Sequence, residues 1–419
     1  MSGTGKTKEK KESSTKVDVV TGACGLAGSY LVKHLLEKGR KVRATDLEGA
    51  HDSPKSVGLR KALDLDFSRD GVEWVPTDLT RKETLAPLFD RGDVSCLFHT
   101  ASLYDYSAPW DMLEKVNIHG VVNIMDAAMS GGIERMIHWS TCGVYGHSNF
   151  PGAYLEYHPW RPAVEFLWNI LVRPWQKNGV FKRPQRHLTN QPMTEDRSNP
   201  KNTVGDTPTG TYLSNEYCRS KWIQEQIVWK YHREKGLPVT VVRPAPIYGP
   251  GSDYGVTNML IELSEGLLPM YPAASKHLLF GGNVHSRDIA RAAVFLSEMP
   301  ESIGEDYNLA DGYLLSHRDA IDYVVKLLGR KVHFIPGIPM PLWQNVAVAL
   351  GKLAYWLETS FPSYARSRVL DLGQLNYLTM GIWIYNKKIR DLGFEFEYSD
   401  FKEGLADTVA WLILNGTIK

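Results

Sequence analysis

A glycine-rich turn directly after a short β-branched strand most strongly limits what this chain can fold into. The strand is predicted over Val17–Thr21, and the turn over residues 22–28 reads GACGLAG. In such a turn the first glycine permits a tight bend, the second lets the backbone approach a pyrophosphate, and the third lets the following helix pack on the sheet. A second predicted strand, Lys41–Thr45, ends on Asp46. This order of strand, turn, helix, strand and acid predicts a dinucleotide-binding unit.

Asp46 indicates which dinucleotide is expected. A carboxylate at the end of the second strand can accept hydrogen bonds from both hydroxyls of the adenosine ribose, and its charge would repel a 2′-phosphate. We therefore expect NAD rather than NADP. The pyrophosphate is expected on the free N–H groups of the helix that begins near Leu26.

Composition narrows the class of protein. The chain has 419 residues, 43% of them hydrophobic, which is enough for two domains or one large domain with an added lobe. The formal net charge is +1 and no basic strip alternates with aromatic residues, so a nucleic-acid partner is not expected. The 4 cysteines never form a CxxC pair, which favours a reducing, cytoplasmic setting without a metal site. Residues 1–16 are polar and predict a disordered tail.

Alternating strands and helices predict an α/β fold with a doubly wound parallel sheet. Further strands are predicted at Val72–Pro76, Val94–His99, Met136–Ser140, Val239–Arg243 and Tyr307–Ala310, and helices at Trp110–Met129, from Tyr212 to before Gly236, at Ser286–Met299, from Ser316 through Leu328, and from about Asp400 to Leu414. We assign residues 17–250 to a Rossmann domain and 251–419 to a mostly C-terminal substrate-binding lobe, with about 284–310 returning to the first domain.

Two segments carry the residues expected to do chemistry. Residues 140–146 read STCGVYG and follow the fifth predicted strand, and residues 217–221 read YCRSK at the start of a helix. Tyr217 and Lys221 are four residues apart and therefore share a helix face. An ammonium near a phenol favours the phenolate, so we expect Lys221 to lower the pKa of Tyr217 toward that of a general base. The Thr141 hydroxyl is expected to bind the same substrate oxygen.

Taken together, these motifs resemble the extended short-chain dehydrogenase/reductase family. The matching segments include TGACGLAG at 21–28, HTAS at 99–102, STCGVYG, YCRSK and RPAPIYGPG at 243–251. The resemblance implies a catalytic triad of Thr141, Tyr217 and Lys221, with Lys221 also bonding the nicotinamide ribose and Asp78 contacting the adenine. The full set of residues expected at the cofactor is Gly22, Cys24, Gly25, Leu26, Gly28, Asp46, Asp78, Leu79, Thr100, Ala101, Ser102, Asn117, Tyr217, Lys221 and Pro244.

Particular residues favour one branch of that family. Nucleotide-sugar dehydratases carry an acidic pair where this chain has Cys142 and Gly143, so elimination of water is not expected. The prolines of Arg243-Pro244-Ala245-Pro246 offer no donor to a diphosphate and resemble the 3β-hydroxysteroid and sterol dehydrogenase branch or the dihydroflavonol reductases. The latter generally prefer NADP, which Asp46 disfavours. We therefore expect oxidation of a secondary alcohol to a ketone on an apolar, steroid-like substrate.

Two other functions stay open. A nucleotide-sugar 4-epimerase would use the same triad, and its pocket should contain cations that bind phosphate. A non-catalytic NAD-binding protein would use the cofactor for structure or sensing. The family also suggests a homodimer.

Two apolar segments bear on partners. Residues 149–191 form an insertion rich in aromatic and basic residues, interpreted as a lid or membrane-surface element or, with slightly more weight, as an added subdomain. Pro341–Leu357 is apolar but shorter than a spanning helix requires. It is interpreted either as a cover over an apolar pocket or as a peripheral membrane contact.

Overall fold

The computed structural model describes most of the chain outside the insertion. The described residues are 16–105, 108–145, 193–195, 201, 215–266, 270–272, 279–337 and 382–418, together with 346, 349, 350, 353, 356, 357, 360 and 361. The insertion at 149–191 and the polar tail before residue 16 lie outside the described residues, as does most of Pro341–Leu357.

Strands and helices alternate through the first half of the described chain. The strands are β1 Val17–Thr21, β2 Lys41–Thr45, β3 Glu73–Trp74, β4 Val94–His99, β5 Arg135–Trp139, β6 Val239–Pro244, β7 Ile247–Tyr248, β8 Met270–Pro272, β9 Leu279–Gly281, β10 Val284–His285, β11 Asp306–Leu309, β12 Leu315–Ser316, β13 His333–Ile335 and β14 Ile382–Trp383. The α-helices are α1 Leu26–Glu37, α2 Pro54–Ala62, α3 Trp110–Leu113, α4 Gly120–Ser130, α5 Glu216–Lys235, α6 Val256–Ser264, α7 Ser286–Glu298, α8 His317–Leu327, α9 Lys387–Asp391 and α10 Phe401–Leu414. A π-helical segment, Glu114–His119, joins α3 to α4.

The central sheet has 7 strands in the order β11-β6-β5-β4-β1-β2-β3. All neighbouring strands in it run parallel, and β1 lies between β2 and β4. Because the chain leaves β1 toward β2 on one side and later returns to β4 on the other, the topological switch point falls beside the carboxyl end of β1. The predicted fold class, a doubly wound parallel sheet, is confirmed.

Apolar side chains cover both faces of this sheet. One cluster includes Val20, Phe98 and Ile137 with Leu31 of α1, and another includes Val19, Leu97 and Met136 with Ile124 of α4. Strands buried on both faces are typical of parallel sheets, which explains their nearly continuous apolar runs. The carboxyl ends of the strands are therefore held rigidly where the site motifs begin.

The later residues complete the sheet and form a further apolar cluster. Strand β11 pairs with β6, and α7 lies against α1. Helices α6, α8 and α10 pack together through Leu260, Val324 and Leu405, which are buried in one cluster. The proposed boundaries of the two domains stay a prediction.

The structure differs from the sequence-based expectation in one helix and one strand. The predicted helix Trp110–Met129 is divided by the π-helical segment, and the predicted strand Val72–Pro76 contracts to Glu73–Trp74. Strand β3 lies at the edge of the sheet and pairs with β2 through Arg43 and Ala44 alone. An edge strand has one partner rather than two, so less of it forms regular pairs.

Candidate active site

The glycine turn after β1 has the close contacts that the motif requires. Gly22 has φ +66°, and a Cβ at this position would lie 2.9 Å from the Ala101 backbone nitrogen. A Cβ on Gly28 would lie 2.1 Å from the Gly22 carbonyl oxygen. Helix α1 begins at Leu26 with no side-chain hydrogen bond capping it, so its first N–H groups can face an anion. Glycine is therefore required at both positions for the turn and helix to meet.

The two acidic residues beyond β2 and β3 lie on the same cleft as the turn. Asp46 accepts hydrogen bonds from the backbone N–H groups of Cys24 (3.1 Å) and Leu47 (2.8 Å). Burial raises the pKa of its carboxyl, while these two backbone bonds oppose that shift. Asp78 accepts from the backbone N–H and the hydroxyl of Thr80, each at 2.8 Å. Both carboxylates are thus oriented by their own turns.

A single cleft of about 1500 Å³ brings together most of the residues expected from the sequence. Those lining it are Gly22, Gly25, Leu26, Gly28, Asp46, Asp78, Leu79, Thr100, Ala101, Ser102, Thr141, Tyr217, Lys221 and Pro244. Cys24 and Asn117 do not line it. Cys24 is buried beneath the turn, and Asn117 is buried against the loop that follows β4. Residues from the ends of six strands, β1 to β6, therefore converge on the switch point.

The three residues of the expected triad face this cleft from two elements. Thr141 follows β5 and its hydroxyl accepts from the Gly143 N–H at 3.1 Å. Tyr217 lies in the first turn of α5, which Asn215 caps by accepting from the Cys218 N–H at 2.9 Å. Lys221 lies one turn further on and is 1% exposed. Helix α5 thus sets Tyr217 and Lys221 on one face, as their spacing predicts.

The electrostatics of the pair differ from the expectation. Burial raises the pKa of Tyr217 well above its usual value, and the neighbouring Tyr104 and Cys218 raise it further. Burial lowers the pKa of Lys221 to about 7, against the opposing charge of Glu225. The ammonium donates to Ser102 Oγ (3.0 Å) and the Trp139 carbonyl (2.5 Å). The expected lowering of the Tyr217 pKa is therefore wrong for this arrangement, because burial of the phenol raises its pKa and the neighbouring tyrosines and cysteines act in the same direction.

Three residues near the triad were not anticipated from the sequence. Tyr104 contacts the Tyr217 ring edge-on with centroids 5.1 Å apart, and Tyr254 contacts Tyr104 at the same centroid distance. Gln224 accepts a hydrogen bond from Lys221 and donates to the Asn117 carbonyl at 2.8 Å. The spacing of three residues between Lys221 and Gln224 places both on one helix face, and this signal could have identified Gln224.

The wall of the cleft beyond the triad is mostly apolar. Its residues include Tyr104, Met112, Tyr254, Met259, Trp411 and Leu412. Within the part of the cleft that the structure describes, the lining cations are Lys55, Lys115 and Lys221, and no arginine lines it. Lys55 pairs with Asp253 at 2.9 Å, and Lys221 is held by protein acceptors. This part of the cleft is better suited to rings and alkyl groups than to a diphosphate.

Comparison with known families decides the class of protein. The model of an NAD-binding family described as "Male sterility protein" matches residues 20–276, about three fifths of the chain. The chain belongs to this family. Through it the chain belongs to the extended short-chain dehydrogenase/reductase superfamily and is an NAD-dependent enzyme of that class. The expectations of an enzyme and of NAD as cofactor are confirmed, and the residues of the cleft fit NAD because the glycine turn, the uncapped helix and Asp46 face one space.

Curated relatives and solved structures agree with this placement. Cinnamoyl-CoA reductase 1 of Petunia hybrida is 27% identical over 331 residues, covering 78% of this chain and 80% of that protein. Dihydroflavonol 4-reductase of Dianthus caryophyllus is 23% identical over 385 residues, covering 90% of this chain and 82% of that protein. The terminal R domain of the myxalamid pathway has the same fold, with a TM-score of 0.67 at 17% identity, covering 97% of this chain and 92% of that one. UDP-glucose 4-epimerase of Thermotoga maritima shares the fold with a TM-score of 0.61 at 18% identity, covering 95% and 99%.

The described residues contain neither a membrane-spanning helix nor a metal site. No helix among them is both long and apolar enough to cross a bilayer. No group of His, Cys, Asp or Glu side chains in the same residues is arranged to hold a metal ion.

Proposed function

We propose that this chain catalyses reversible, NAD-dependent hydride transfer between a secondary alcohol and the corresponding ketone of an apolar substrate. The observation that carries the proposal is a single cleft in which the glycine turn and Asp46 share a space with Thr141, Tyr217 and Lys221. Aromatic and aliphatic side chains also line this cleft. The glycine turn and Asp46 suit the cofactor, and Thr141, Tyr217 and Lys221 suit an alcohol oxygen. The aromatic and aliphatic side chains suit the body of the substrate.

The three residues of the proposed triad have different tasks in the hydride transfer. Tyr217 takes the hydroxyl proton as the carbinol C–H bond breaks, and it returns a proton in the reverse direction. Thr141 holds the oxygen against the phenol. Lys221 stabilises the negative charge that develops on Tyr217. To bond the nicotinamide ribose as well, its ammonium exchanges one of its protein acceptors for a ribose hydroxyl. Bound NAD supplies the acceptor for the hydride.

A 3β-hydroxysteroid remains the first substrate we propose. The two relatives described above are a dihydroflavonol 4-reductase and a cinnamoyl-CoA reductase. They do not support the resemblance to the steroid dehydrogenase branch. Steroid, dihydroflavonol and cinnamoyl groups each contain an apolar ring or ring system. Tyr104, edge-on to Tyr217, and Tyr254, tilted against Tyr104, support a ring at this position because aromatic side chains pack well on flat apolar groups.

The nucleotide-sugar epimerase stays the alternative for the same triad. It would bind a diphosphate, for which arginine or several cations are the usual ligands. Among the described residues that line the cleft, Lys115 is a cation with no ion pair to a described acid. This distribution of charge favours the apolar alcohol.

The test is nicotinamide absorbance on mixing protein and NAD with a 3β-hydroxysteroid, and protein and NADH with a dihydroflavonol. A UDP-hexose is incubated in parallel and its products are separated by chromatography. Formation or consumption of NADH with a ring-bearing alcohol or ketone supports the proposal. No change with either, together with a new UDP-hexose isomer, would make the chain an epimerase.

The membrane contact and the homodimer stay predictions. In the predicted apolar stretch, Val346, Leu350, Leu353 and Trp356 are described and are 45–55% exposed. Their spacing of three to four residues places them on one side of a helix, which supports an apolar surface there. Co-sedimentation with lipid vesicles and the mass of the protein in solution test the two predictions separately.

A further inference from the structure

The Lys221 ammonium is held by acceptors from three different parts of the fold. Ser102 Oγ lies in the loop after β4, the Trp139 carbonyl ends β5, and Gln224 Oε1 lies one turn further along α5. An ammonium has three donors and no acceptor, so these three bonds account for all of its hydrogens. The position of Nζ is therefore set by the protein before any ligand is considered.

The orientation of the Gln224 amide is determined by its two partners. Its oxygen accepts from Lys221, and its Nε2 donates to the Asn117 carbonyl at 2.8 Å. Lys221 can only donate and a carbonyl can only accept, so the reverse orientation of the amide would oppose donor to donor and acceptor to acceptor. Gln224 is 0% exposed, which makes an unmatched amide costly.

The carbonyl that orients Gln224 belongs to the π-helical segment Glu114–His119. A π turn departs from the i→i+4 bonding of an α-helix and is frequent at functional sites. The Asn117 side chain accepts from the Leu103 N–H at 2.7 Å and donates to Ser220 Oγ at 2.9 Å. Through its side chain, Asn117 thus fixes the loop that carries Ser102. Through its backbone carbonyl, the same residue fixes Gln224.

We propose that Gln224 is a positioning residue that holds the Lys221 side chain in its catalytic place and favours its charged form by linking it to the Asn117 carbonyl. The role of Gln224 in catalysis rests on the proposed function, in which Lys221 supports Tyr217. The effect of Gln224 on the position and charge of Lys221 is independent of that function.

The surroundings of Lys221 explain why one amide matters. Burial lowers the pKa of Lys221 to about 7, and Glu225 on the same helix acts in the opposite direction. His99 of β4 and His138 of β5 also face it, and burial lowers the pKa of both. Tyr217 lies one turn earlier on α5, and burial raises its pKa. With the neighbouring imidazoles and phenol held neutral, the hydrogen-bond acceptors contribute strongly to how much ammonium is present near neutral pH.

The test compares Gln224→Met, which keeps the length of the side chain but removes both hydrogen bonds, with Gln224→Glu, which keeps an acceptor for the ammonium. Gln226→Met is the matched control, because Gln226 is half-buried on the same helix and does not line the cleft. The pKa of Lys221 is read by NMR titration of protein labelled with ¹³C-lysine, and the Lys221 signal is the one missing from Lys221→Met.

Gln224→Met should lower the pKa of Lys221 by about one pH unit, and Gln224→Glu should restore or raise it. Gln226→Met should leave it unchanged. With a substrate, Gln224→Met should also lower kcat about tenfold with little change in KM. It should shift the basic limb of the pH profile of oxidation downward, because the Lys221 ammonium is lost at a lower pH. A general loss of structure would not move that limb.

An unchanged Lys221 titration in Gln224→Met would overturn the proposal, whatever happens to turnover. If Gln224→Met does not fold, Gln224→Asn decides, because its shorter amide cannot reach both partners. A shifted Lys221 titration in a protein that oxidises none of the alcohols would leave the positioning role intact and would instead count against the proposed function.

Discussion

At the scale of single residues, Asp46 is the side chain that most directly connects sequence to cofactor choice. Its two oxygens each accept a backbone N–H, from Cys24 and from Leu47. These bonds orient the carboxylate at the end of β2, on the edge of the cleft. A ribose hydroxyl can donate to the remaining lone pairs, whereas a 2′-phosphate would meet a like charge.

Replacing Asp46 by Asn should therefore weaken NAD binding about tenfold and strengthen NADP binding relative to NAD. The amide oxygen still accepts a hydrogen bond, but the charge that repels phosphate is removed. Fluorescence titration with each dinucleotide measures both affinities. Asp52→Asn, at an exposed residue outside the cleft, is the control. An unchanged ratio of the two affinities in Asp46→Asn would place the ribose elsewhere.

Most site residues could be predicted because their motifs are local. The turn at residues 22–28 and the pair Tyr217 and Lys221 each lie within one short segment, and the structure brings them to one cleft. The pKa of Tyr217 could not be predicted in the same way. The pKa of Tyr217 depends on Tyr104, which lies in a loop more than a hundred residues earlier in the chain. Tyr104 raises that pKa in addition to the effect of burial.

At the scale of elements, the meeting of the glycine turn with α1 depends on the absence of side chains. A Cβ on Gly28 would lie 2.1 Å from the Gly22 carbonyl oxygen, a distance that forces the backbone to move. Because the N-terminus of α1 is aimed by this contact, any displacement also moves the groups expected at the pyrophosphate.

Gly28→Ala should therefore weaken NAD binding at least tenfold and lower the free energy of unfolding by about 1–3 kcal/mol. Urea unfolding and NAD titration measure the two effects. Gly58→Ala in α2 is the matched control, since nothing lies within 4 Å of a Cβ there. That change should stabilise the protein by about 0.5–1 kcal/mol through helix propensity. Equal NAD affinity in Gly28→Ala and the wild type would contradict this account of the turn.

The π-helical segment that interrupts the helix between Trp110 and Ser130 could not be predicted from the sequence. Its apolar residues fit a continuous amphipathic pattern, and a π turn adds one residue without breaking that pattern visibly. The cause lies in tertiary contacts, because Asn117 bonds Leu103 with its side chain and Gln224 with its carbonyl. Asn117, expected at the cofactor, therefore lies behind the cleft wall.

At the scale of the whole molecule, the parallel sheet buries two histidines side by side. His99 and His138 are paired across β4 and β5, and their rings stack with centroids 5.6 Å apart. Burial lowers the pKa of His99 to about 3 and that of His138 well below its usual value. Neither ring nitrogen of His138 has a hydrogen-bond partner among the described residues.

This pair should make the free energy of unfolding fall as the pH falls below about 6.5, since the unfolded chain then binds protons that the folded chain excludes. His138→Phe removes one such group without removing a described hydrogen bond. Between pH 7.5 and pH 5 it should lose about 2 kcal/mol less stability than the wild type, measured by urea unfolding. The exposed His333→Phe should behave as the wild type. Equal losses in wild type and His138→Phe would show that His138 is protonated in the folded state.

The parallel, doubly wound sheet could be expected from alternating elements, because parallel strands need crossover helices of the lengths seen here. What local pattern could not supply is how the later chain closes the site. Trp411 and Leu412 of α10 reach the cleft from the far end of the sequence, and Tyr254 reaches it from the turn after β7. Such contacts depend on tertiary packing and have no periodicity of their own.

The central claim is that Tyr217 exchanges the proton while NAD exchanges the hydride in this cleft. The most direct measurement is NADH formation by wild type and Tyr217→Phe with the apolar alcohol that turns over, alongside NAD titration of both. Loss of a general acid–base should lower kcat by about 10²–10⁴ while NAD affinity stays the same. Tyr231→Phe, on the same helix but bonded to Asp126 outside the cleft, should remain active. Undiminished turnover in Tyr217→Phe would contradict the account.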